Sequence, residues 1–448
     1  MSTKKGHSDP LSTPFSGARR LYFGGICGSS MSGLARMAQA RGFSVRGCDR
    51  RYRSGEAEAL REAGIPVEAE DRASPAKGET FVYTLALDQA SRPMVRAKMR
   101  GIPTVPRIEF LRFLMEDSPH RVTVSGMHGK STTVGMLAHI FQGAGLDPNV
   151  SSGAPLTQGG ESYRIGGGEV FLAEACEYRN AFHALRPTLA LVTNIDHDHP
   201  DWFHTMADVE ASFAFFLGRA KGAIVNADCP PLARIAPRGA VTYGFSRGAD
   251  YHATPTRGGL LIRQRGEKLG LLTLSVGGAY QWENALGAVA LSREMGIPFP
   301  CIAEQLASFR GIGRRMERVG SCRGATVYLD YAHHPTEIRA ALQAARGLGK
   351  RVFCLYQPHT YTRTQTFWQA FGKSLAEADM TTLVDIYPAR EQPIPDITSK
   401  RLAEEAGFSY APTAEEALQK ILPLLREEDV LLLMGAGDVA EARHLLDR

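Results

Sequence analysis

The sequence predicts an α/β protein built from three domains. Apolar stretches of strand length alternate with helical patterns along the whole chain, an order typical of α/β folds with parallel sheets. Glycine-rich turns join a strand to a helix in each of three successive segments. The length of 448 residues fits several domains at roughly 100–200 residues each. We therefore place the domains at residues 1–116, 117–316 and 317–448.

Composition indicates a globular protein and excludes several functional classes. Hydrophobic residues make up 44% and charged residues 22%, which is ordinary for folded domains. The formal net charge of +5 is spread along the chain rather than gathered in a basic block of the kind that binds nucleic acid. The seven cysteines are widely spaced without a CxxC pair, so neither a disulfide framework nor a zinc ribbon is predicted. Because the start is polar and no apolar run reaches membrane-spanning length, we expect a cytoplasmic protein without membrane or nucleic-acid partners.

The first domain opens with a strand-turn-helix unit. Residues 21–26 form an apolar strand pattern, a Gly/Ser-rich turn follows, and residues 31–41 carry a helical pattern. A second strand, residues 43–49, ends in Asp49 about twenty positions after the turn, the spacing at which a Rossmann-like domain contacts a ribose. Dinucleotide binding is therefore the first hypothesis, although GGICGSSM at residues 24–31 lacks a clean GxGxxG pattern.

The second domain carries a phosphate-loop motif. A strand at residues 121–125 precedes GMHGKSTT at residues 126–133, and a helical pattern follows through residue 142. In such a loop the backbone N–H groups and the helix N-terminus hold phosphates, with Lys130 at the terminal phosphates and Ser131 on Mg2+. An incidental Gly-rich turn is the alternative, but the strand before and the helix after favour a P-loop ATPase-type domain. A mainly parallel sheet is predicted from strands at 170–175, 189–195 and 223–225, with antiparallel strands within 254–275.

Acidic and imidazole side chains gather where two of these strands end. Glu174 and Glu177 close one strand, and the end of the next carries Asp196, His197, Asp198, His199 and Asp201. Strand ends beside a phosphate loop share one edge of a sheet, where such groups hold Mg2+ next to the phosphates. A solvated surface loop is the alternative, and spacing alone leaves open which side chain contacts the metal.

The third domain is expected to contain a second doubly wound, Rossmann-like sheet. Its strands are predicted at residues 326–331, 352–357, 381–386 and 430–435, with a helix at 335–345. DYAHHP at residues 330–335 and QPHTYTRT at residues 357–364 follow strands directly, as ligand-binding loops do in open sheets. At the entrance to this domain Arg314 and Arg315 form a cationic pair that suits a transferring phosphoryl group, with a solvated basic pair as the alternative.

Taken in order along the chain, these stretches resemble the Mur ligase family. GMHGKSTT resembles the family's GTHGKTTT, residues 193–199 resemble its TNxxxDH, and FRGIGRR at residues 309–315 resembles its FxGxxRR. The resemblance extends from about residue 20 to the C-terminus and implies three domains that bind a UDP-sugar, ATP and an amino acid in turn. It also implies an ATP- and Mg2+-dependent ligase that forms an amide bond through an acyl phosphate.

Within the family, the third-domain stretches resemble the branch that adds L-alanine to UDP-N-acetylmuramate. DYAHHP, QPHTYTRT and MGAGD at residues 434–438 carry this resemblance, which implies those two substrates and ATP, in peptidoglycan precursor synthesis. Several positions depart from the family's pattern. Cys27 and Ser30 replace glycines of the first loop, Gln281 replaces an Asn, and Thr360 replaces an Arg. These departures bear on UDP-sugar affinity, nucleotide preference and amino-acid choice, respectively.

The resemblance implies a role for each matched residue. The residues expected to be catalytic are Lys130, His199, Arg315 and His334. Those expected to bind ATP are Gly126, Met127, His128, Gly129, Lys130, Ser131, Thr132, Asn284, Arg315 and Asp330. Those expected to bind the UDP-sugar and the amino acid are Gly28, Ser29, Ser30, Met31, Asp49, His334, His359 and Arg363. Those expected to ligate Mg2+ are Ser131, Glu174 and His199.

Three other functions stay open on sequence alone. The branch that attaches a recycled murein tripeptide to UDP-N-acetylmuramate has a first loop that resembles residues 25–28. A non-catalytic regulator of the same family would bind ATP without substrate-dependent phosphate release. A dehydrogenase that used the first Gly-rich turn would bind NAD and would leave the phosphate loop unexplained.

Overall fold

The computed structural model describes residues 19–85, 87–389 and 391–446, together with residues 15 and 17. Three separate sheets follow one another along the chain, and helices flank each of them. The predicted class of an α/β protein in three parts is confirmed. Residues 1–14, at the polar start of the predicted first domain, lie outside the described residues, and the domain boundaries after residues 116 and 316 stay predictions.

The first sheet is Rossmann-like, as predicted. Its elements are β1 (Arg20–Gly24), α1 (Ser29–Ala40), β2 (Ser44–Asp49), α2 (Gly55–Glu62), β3 (Val67–Ala69), β4 (Thr80–Tyr83), α3 (Arg92–Met99), β5 (Thr104–Pro106) and α4 (Arg107–Glu116). The five strands are parallel in the order β3-β2-β1-β4-β5. The turn after β1 therefore lies where the strand order reverses, at the crevice in which open α/β sheets bind ligands.

The second sheet has ten strands and is mainly parallel, as predicted. Its elements are β6 (His120–Ser125), α5 (Lys130–Gly143), β7 (Asn149–Ser151), β8 (Tyr163–Arg164), β9 (Val170–Glu174), a 3-10 helix (Tyr178–Ala184), β10 (Leu189–Val192), α6 (Met206–Leu217), β11 (Gly222–Asn226), α7 (Pro230–Ile235), β12 (Val241–Gly244), β13 (Tyr251–Thr256), β14 (Gly259–Gln264), β15 (Glu267–Leu272), α8 (Ala279–Glu294) and α9 (Phe299–Ser308). The strand order is β15-β14-β13-β12-β11-β10-β6-β9-β7-β8. Pairing is antiparallel at both ends, including the predicted antiparallel stretch β13 to β15.

The third sheet has six strands. Its elements are β16 (Glu317–Cys322), β17 (Ala325–Asp330), α10 (Pro335–Arg346), β18 (Val352–Gln357), α11 (Tyr361–Thr366), α12 (Trp368–Leu375), β19 (Met380–Leu383), α13 (Ser399–Ala406), β20 (Ser409–Tyr410), α14 (Ala414–Ile421), a 3-10 helix (Leu422–Leu424), β21 (Val430–Gly435) and a second 3-10 helix (Val439–Leu445). The strand order is β16-β17-β21-β18-β19-β20, parallel except for β16. The predicted doubly wound sheet is confirmed.

Two local differences from the predicted elements have physical causes. β10 ends at Val192 rather than at residue 195, because the Thr193 hydroxyl donates to His128 O at 2.6 Å. The residues after β10 therefore contact the phosphate loop instead of extending the strand. The prediction omits several short strands and β16. The sequence of β16, ERVGSC, includes a glycine, which has weak strand preference, and the strand pairs antiparallel at the sheet edge. The short strands omitted are β3, β4, β5, β7, β8, β12 and β20.

Buried apolar packing joins the first two sheets but not the third. One continuous apolar cluster includes Leu21 and Phe23 of β1 together with Phe171 and Ala173 of β9. The third sheet has its own clusters, and within the described residues they stay separate from the cores of the other two. Contacts between the third domain and the central one include the ion pairs His128–Glu337 and Asp198–Arg363. Within the described residues, none of the helices combines the length and the apolar character needed to cross a membrane.

Candidate active site

The candidate site lies where the carboxyl ends of parallel strands of the central sheet meet. β6 pairs in parallel with both β9 and β10, so the loops that follow these three strands leave the sheet at one edge. The loops after β17 and β18 of the third sheet approach the same edge. Two contacts show this approach: His128 to Glu337, and Asp198 to Arg363. Residues from two sheets therefore surround one space.

The phosphate loop between β6 and α5 has glycine at positions from which a side chain is excluded. Gly126 (φ 135°) and Gly129 (φ 83°) adopt backbone conformations that other residues rarely adopt. A Cβ on Gly126 would overlap Thr193 Oγ1, and a Cβ on Gly129 would overlap Asn284 Oδ1. Lys130 is the first residue of α5, so the N-terminal N–H groups of that helix lie at the loop. This geometry suits a phosphate group.

Lys130 is held by a buried ion pair. Its Nζ lies 3.0 Å from Glu177 Oε2 and donates to the backbone carbonyl oxygens of Gly126 and Met127. Burial alone would lower the pKa of Lys130, but the nearby charge of Glu177 raises it above its usual value, so the ammonium stays charged. Burial would raise the pKa of Glu177, but Lys130 and His199 hold it below its usual value.

The predicted Mg2+ ligands lie in one region, but only two of them touch. Ser131 Oγ donates to Glu174 Oε2 at 2.7 Å, and these are the oxygen donors that Mg2+ prefers. The third, His199, contacts Glu177 instead, with His199 Nε2 3.2 Å from Glu177 Oε1. The predicted site set omits Glu177, which is 2% exposed and bridges Lys130 and His199. The sequence did offer a signal for Glu177, because it lies three residues after Glu174 in the same cluster at the end of a strand.

His128 of the phosphate loop lies between two carboxylates of different domains. Its Nδ1 lies 3.3 Å from Glu337 Oε1, and its Nε2 lies 3.5 Å from Asp196 Oδ2. Burial lowers the pKa of His128, but these carboxylates outweigh burial and raise it to about 9. Ligand atoms of His128, Asp196 and His334 lie within 4.8 Å of one another, an arrangement that resembles a metal site. In the structure His128 is the centre of this group, because its two ring nitrogens face the two carboxylates.

The raised pKa of His128 predicts a pH-dependent contribution to stability. Since its folded-state pKa of about 9 exceeds the ordinary 6.5, this contribution is fully present below pH 6.5 and is lost as the pH rises through about 9. We expect wild type to exceed His128→Gln in free energy of unfolding by roughly 1–3 kcal/mol more at about pH 6 than at about pH 9.5. Urea unfolding of both proteins at both pH values measures this. An equal difference at the two pH values would contradict the assignment.

A cleft of about 860 Å³ opens between the phosphate loop, α8 and the third sheet. Asn284, Arg315 and Asp330 line it, together with His128, Gly129, Ser131 and Thr132 of the predicted ATP site. The Asp330 carboxylate accepts 2.8 Å hydrogen bonds from Met316 N and Ala332 N, which fixes the turn where the chain enters the third sheet. Gln281 also lines the cleft, and its buried Oε1 has no hydrogen-bond partner among the described residues. The cleft thus offers an acceptor suited to an amino group.

The predicted amino-acid-binding residues form a second group beside the cleft. His334 is 4% exposed, accepts from Thr336 N through Nδ1, and lies with its ring 4.9 Å from that of His128. His334 Nε2 has no hydrogen-bond partner within the described parts of the chain. Arg363 donates to His359 Nδ1 at 3.3 Å. The structure therefore brings His334, His359 and Arg363 close to the central domain, and their role in binding an amino acid stays a prediction.

The first-domain loop is held by hydrogen bonds between its backbone and the side chain of Asp49. Both carboxylate oxygens of Asp49 accept backbone hydrogen bonds, from Cys27 N at 2.9 Å and from Arg51 N at 2.8 Å. Ser30 Oγ accepts from Arg107 Nη1 at 2.8 Å, and this arginine is absent from the predicted set. Met31 is 2% exposed, so its side chain belongs to the apolar core. Gly28 and Ser29 lie at the N-terminus of α1. Asp49 thus shapes the loop, and Arg107 adds a cation beside it.

Family models match most of the chain in three consecutive parts. Residues 20–118 match the Mur ligase family catalytic domain, residues 124–292 match the Mur ligase middle domain, and residues 314–437 match the Mur ligase glutamate ligase domain.

Two curated relatives are similar over nearly their whole length. The UDP-N-acetylmuramate–L-alanine ligase of Acidobacterium capsulatum is 37% identical over 96% of this chain and 98% of its own. The protein of the same name from Desulfatibacillum aliphaticivorans is 35% identical over 94% of this chain and 96% of its own.

Two solved structures share the fold. UDP-N-acetylmuramate-alanine ligase from Thermotoga maritima superposes with a TM-score of 0.81 at 24% identity, covering 96% of this chain and 98% of that one. A murein peptide ligase from Psychrobacter arcticus superposes with a TM-score of 0.74 at 22% identity, with the same coverages.

Proposed function

The chain belongs to the Mur ligase family, and from this premise we propose that it joins L-alanine to the lactyl carboxylate of UDP-N-acetylmuramate, with ATP converted to ADP and phosphate. The observation that carries the proposal is the 37% identity, over 96% of the chain, to a relative named for this reaction. The phosphate loop and the arginine- and histidine-bearing loops beside it supply the groups that the reaction needs.

The nucleotide is proposed to bind in the cleft beside the phosphate loop. Asn284 and Asp330 line the part of the cleft that would take the nucleoside, and Gln281 Oε1 offers an acceptor for an adenine amino group. Lys130 would then leave the carbonyl oxygens it now contacts and bind the terminal phosphates.

The proposed chemistry depends on neutralising phosphoryl charge. The lactyl carboxylate oxygen attacks the γ-phosphorus of ATP, ADP leaves, and an acyl phosphate forms. Lys130 and Arg315 would stabilise the negative charge on the transferring group. Mg2+, when bound by Ser131 and Glu174 with His199 near, would supply further positive charge there.

The second step places the amino acid against the acyl phosphate. The amino nitrogen of L-alanine attacks the carbonyl carbon, phosphate leaves, and the nitrogen loses a proton. Arg363 would bind the alanine carboxylate, while His334 and His359 would orient the rest of the molecule. The UDP-sugar would lie along residues 28–31 at the N-terminus of α1, with its diphosphate near Arg107.

Phosphate release tests the proposal directly. The assay contains ATP, Mg2+ and UDP-N-acetylmuramate, with L-alanine, L-serine, glycine or the murein tripeptide as acceptor. We expect release to require UDP-N-acetylmuramate together with an acceptor, and to be fastest with L-alanine and slower with L-serine or glycine. Release with the tripeptide alone would reassign the chain to the recycling reaction, and ATP binding without release from any acceptor would favour the regulator.

A further inference from the structure

We propose that Asp198, which follows a strand of the central sheet, is a positioning residue for the amino acid bound by the third domain. It holds the guanidinium of Arg363 so that the terminal edge of that group faces the incoming carboxylate. This inference rests on the proposed function, because it adds a positioning residue to the same amino-acid site.

The contact between Asp198 and Arg363 is close, buried and long-range in sequence. Asp198 Oδ1 accepts hydrogen bonds from Arg363 Nε at 3.2 Å and from Arg363 Nη2 at 3.0 Å. The side chains are 5% and 7% exposed, respectively, and the residues are 165 positions apart. Arg363 lies in α11, after a strand of the third sheet. A buried ion pair of this kind fixes both side chains because neither charge is solvated elsewhere.

The donors of Arg363 are divided among separate partners. A guanidinium has five N–H groups. Asp198 takes Nε–H and one hydrogen of Nη2, and His359 Nδ1 faces one hydrogen of Nη1 at 3.3 Å. Among the described residues, this division leaves one N–H on each terminal nitrogen. Two such groups side by side form the fork that binds a carboxylate through both of its oxygens.

The placement of Asp198 ties the amino-acid site to the phosphate loop. Asp198 Oδ1 also accepts from the backbone N of His199, whose imidazole contacts the Glu177 partner of Lys130. Asp198 follows a strand of the central sheet and Arg363 lies in a helix of the third, so Arg363 is held in this orientation only when the two domains are docked. The carboxylate site for the amino acid is therefore completed at the domain interface, next to the nucleotide cleft.

Asp198→Asn tests the inference through its kinetic signature. Asparagine keeps a side-chain oxygen for His199 N but loses the charge that holds Arg363. We expect the KM for L-alanine to rise about 10- to 100-fold, while the KM for ATP and the Mg2+ dependence stay within about twofold of wild type. A rise in the KM for ATP or a shifted Mg2+ dependence, with the KM for L-alanine unchanged, would overturn the inference and assign Asp198 to His199 instead.

Asp429→Asn is the matched control. Asp429 is 2% exposed and pairs with Arg351 through both oxygens at the opposite end of the third sheet. We expect this variant to lose stability with an unchanged KM for L-alanine. If it raised that KM as much as Asp198→Asn does, the effect would be a general response to losing a buried carboxylate, and the inference would fail.

A second variant covers the case in which Asp198→Asn does not fold. Asp198→Glu keeps the charge but shifts it by one methylene, so we expect the same selective rise in the KM for L-alanine. An unchanged KM for L-alanine in Asp198→Glu would overturn the inference while leaving the proposed function intact. Failure of the wild-type protein to use L-alanine would overturn the proposed function as well, so the two failures are distinguishable.

Discussion

Replacing Lys130 with alanine is expected to lower kcat for L-alanine-dependent phosphate release by about 100- to 1000-fold. The physical reason is the loss of the buried ammonium that we propose binds the terminal phosphates. The same change removes the ammonium that lies 3.0 Å from the Glu177 carboxylate, and Glu177 is only 2% exposed. An unpaired buried carboxylate lowers stability by about 3–5 kcal/mol, so activity must be measured on protein shown to be folded.

Two control variants separate the catalytic effect from the structural one. The double variant Lys130→Ala, Glu177→Gln also removes the charge of the Glu177 carboxylate. We expect it to be more stable than Lys130→Ala but to stay inactive. Recovery of activity in the double variant would mean that Lys130 only neutralises Glu177. Lys350→Ala removes a lysine that is 74% exposed and pairs with Glu428 on the surface, and it should leave phosphate release unchanged.

Replacing Gly129 with alanine is expected to raise the KM for ATP about 100-fold or to abolish nucleotide binding. The added Cβ would overlap Asn284 Oδ1, and Asn284 is 8% exposed on the wall of the nucleotide cleft. Displacing this side chain changes both the proposed phosphate-binding loop and the proposed nucleoside-binding wall of the cleft. Nucleotide titration followed by calorimetry, together with steady-state kinetics, measures the loss.

Gly145→Ala is the matched control for this prediction. Gly145 has φ 75°, close to the 83° of Gly129, so alanine brings a similar backbone strain of about 1–2 kcal/mol at either position. Its Cβ would meet no atom within 4 Å, whereas that of Gly129 would overlap a side chain. We expect Gly145→Ala to be somewhat less stable with unchanged ATP binding. Equal ATP binding by the two variants would show that the overlap at Gly129 has no functional effect.

Local patterns were sufficient to predict most of the fold. Buried parallel strands read as short apolar runs, and the turns after β1 and β6 carry the glycines that their backbones require. β16 was beyond prediction because an edge strand pairs on one side only and needs little apolar character. The shortened end of β10 was also beyond prediction, since it depends on the contact of Thr193 with a loop that is 65 residues away.

Sequence spacing indicated which motif residues lie near this edge of the sheet, although the predicted set omits Glu177 and Arg107, but it did not indicate how the charged groups pair. Motif spacing places Lys130, Ser131, Glu174 and Arg363 at strand ends, so their presence near one edge follows from parallel-sheet geometry. Which carboxylate meets which cation depends on how two domains dock, and sequence spacing carries no such information. The contact of Glu177 with Lys130 and the contact of His128 with Glu337 are pairings that sequence spacing does not reveal.

The contact between Arg363 and Asp198 makes acceptor selectivity a joint property of two folding units. A hybrid enzyme made by grafting only residues 317–448 onto another ligase would inherit the arginine but would depend on its host for the carboxylate that aims it. Such a graft would transfer the amino-acid-binding residues of the third domain without the carboxylate that orients Arg363. Redesign of the amino-acid preference, whether by natural drift or by hand, must therefore change the nucleotide-binding unit and the acceptor-binding unit together.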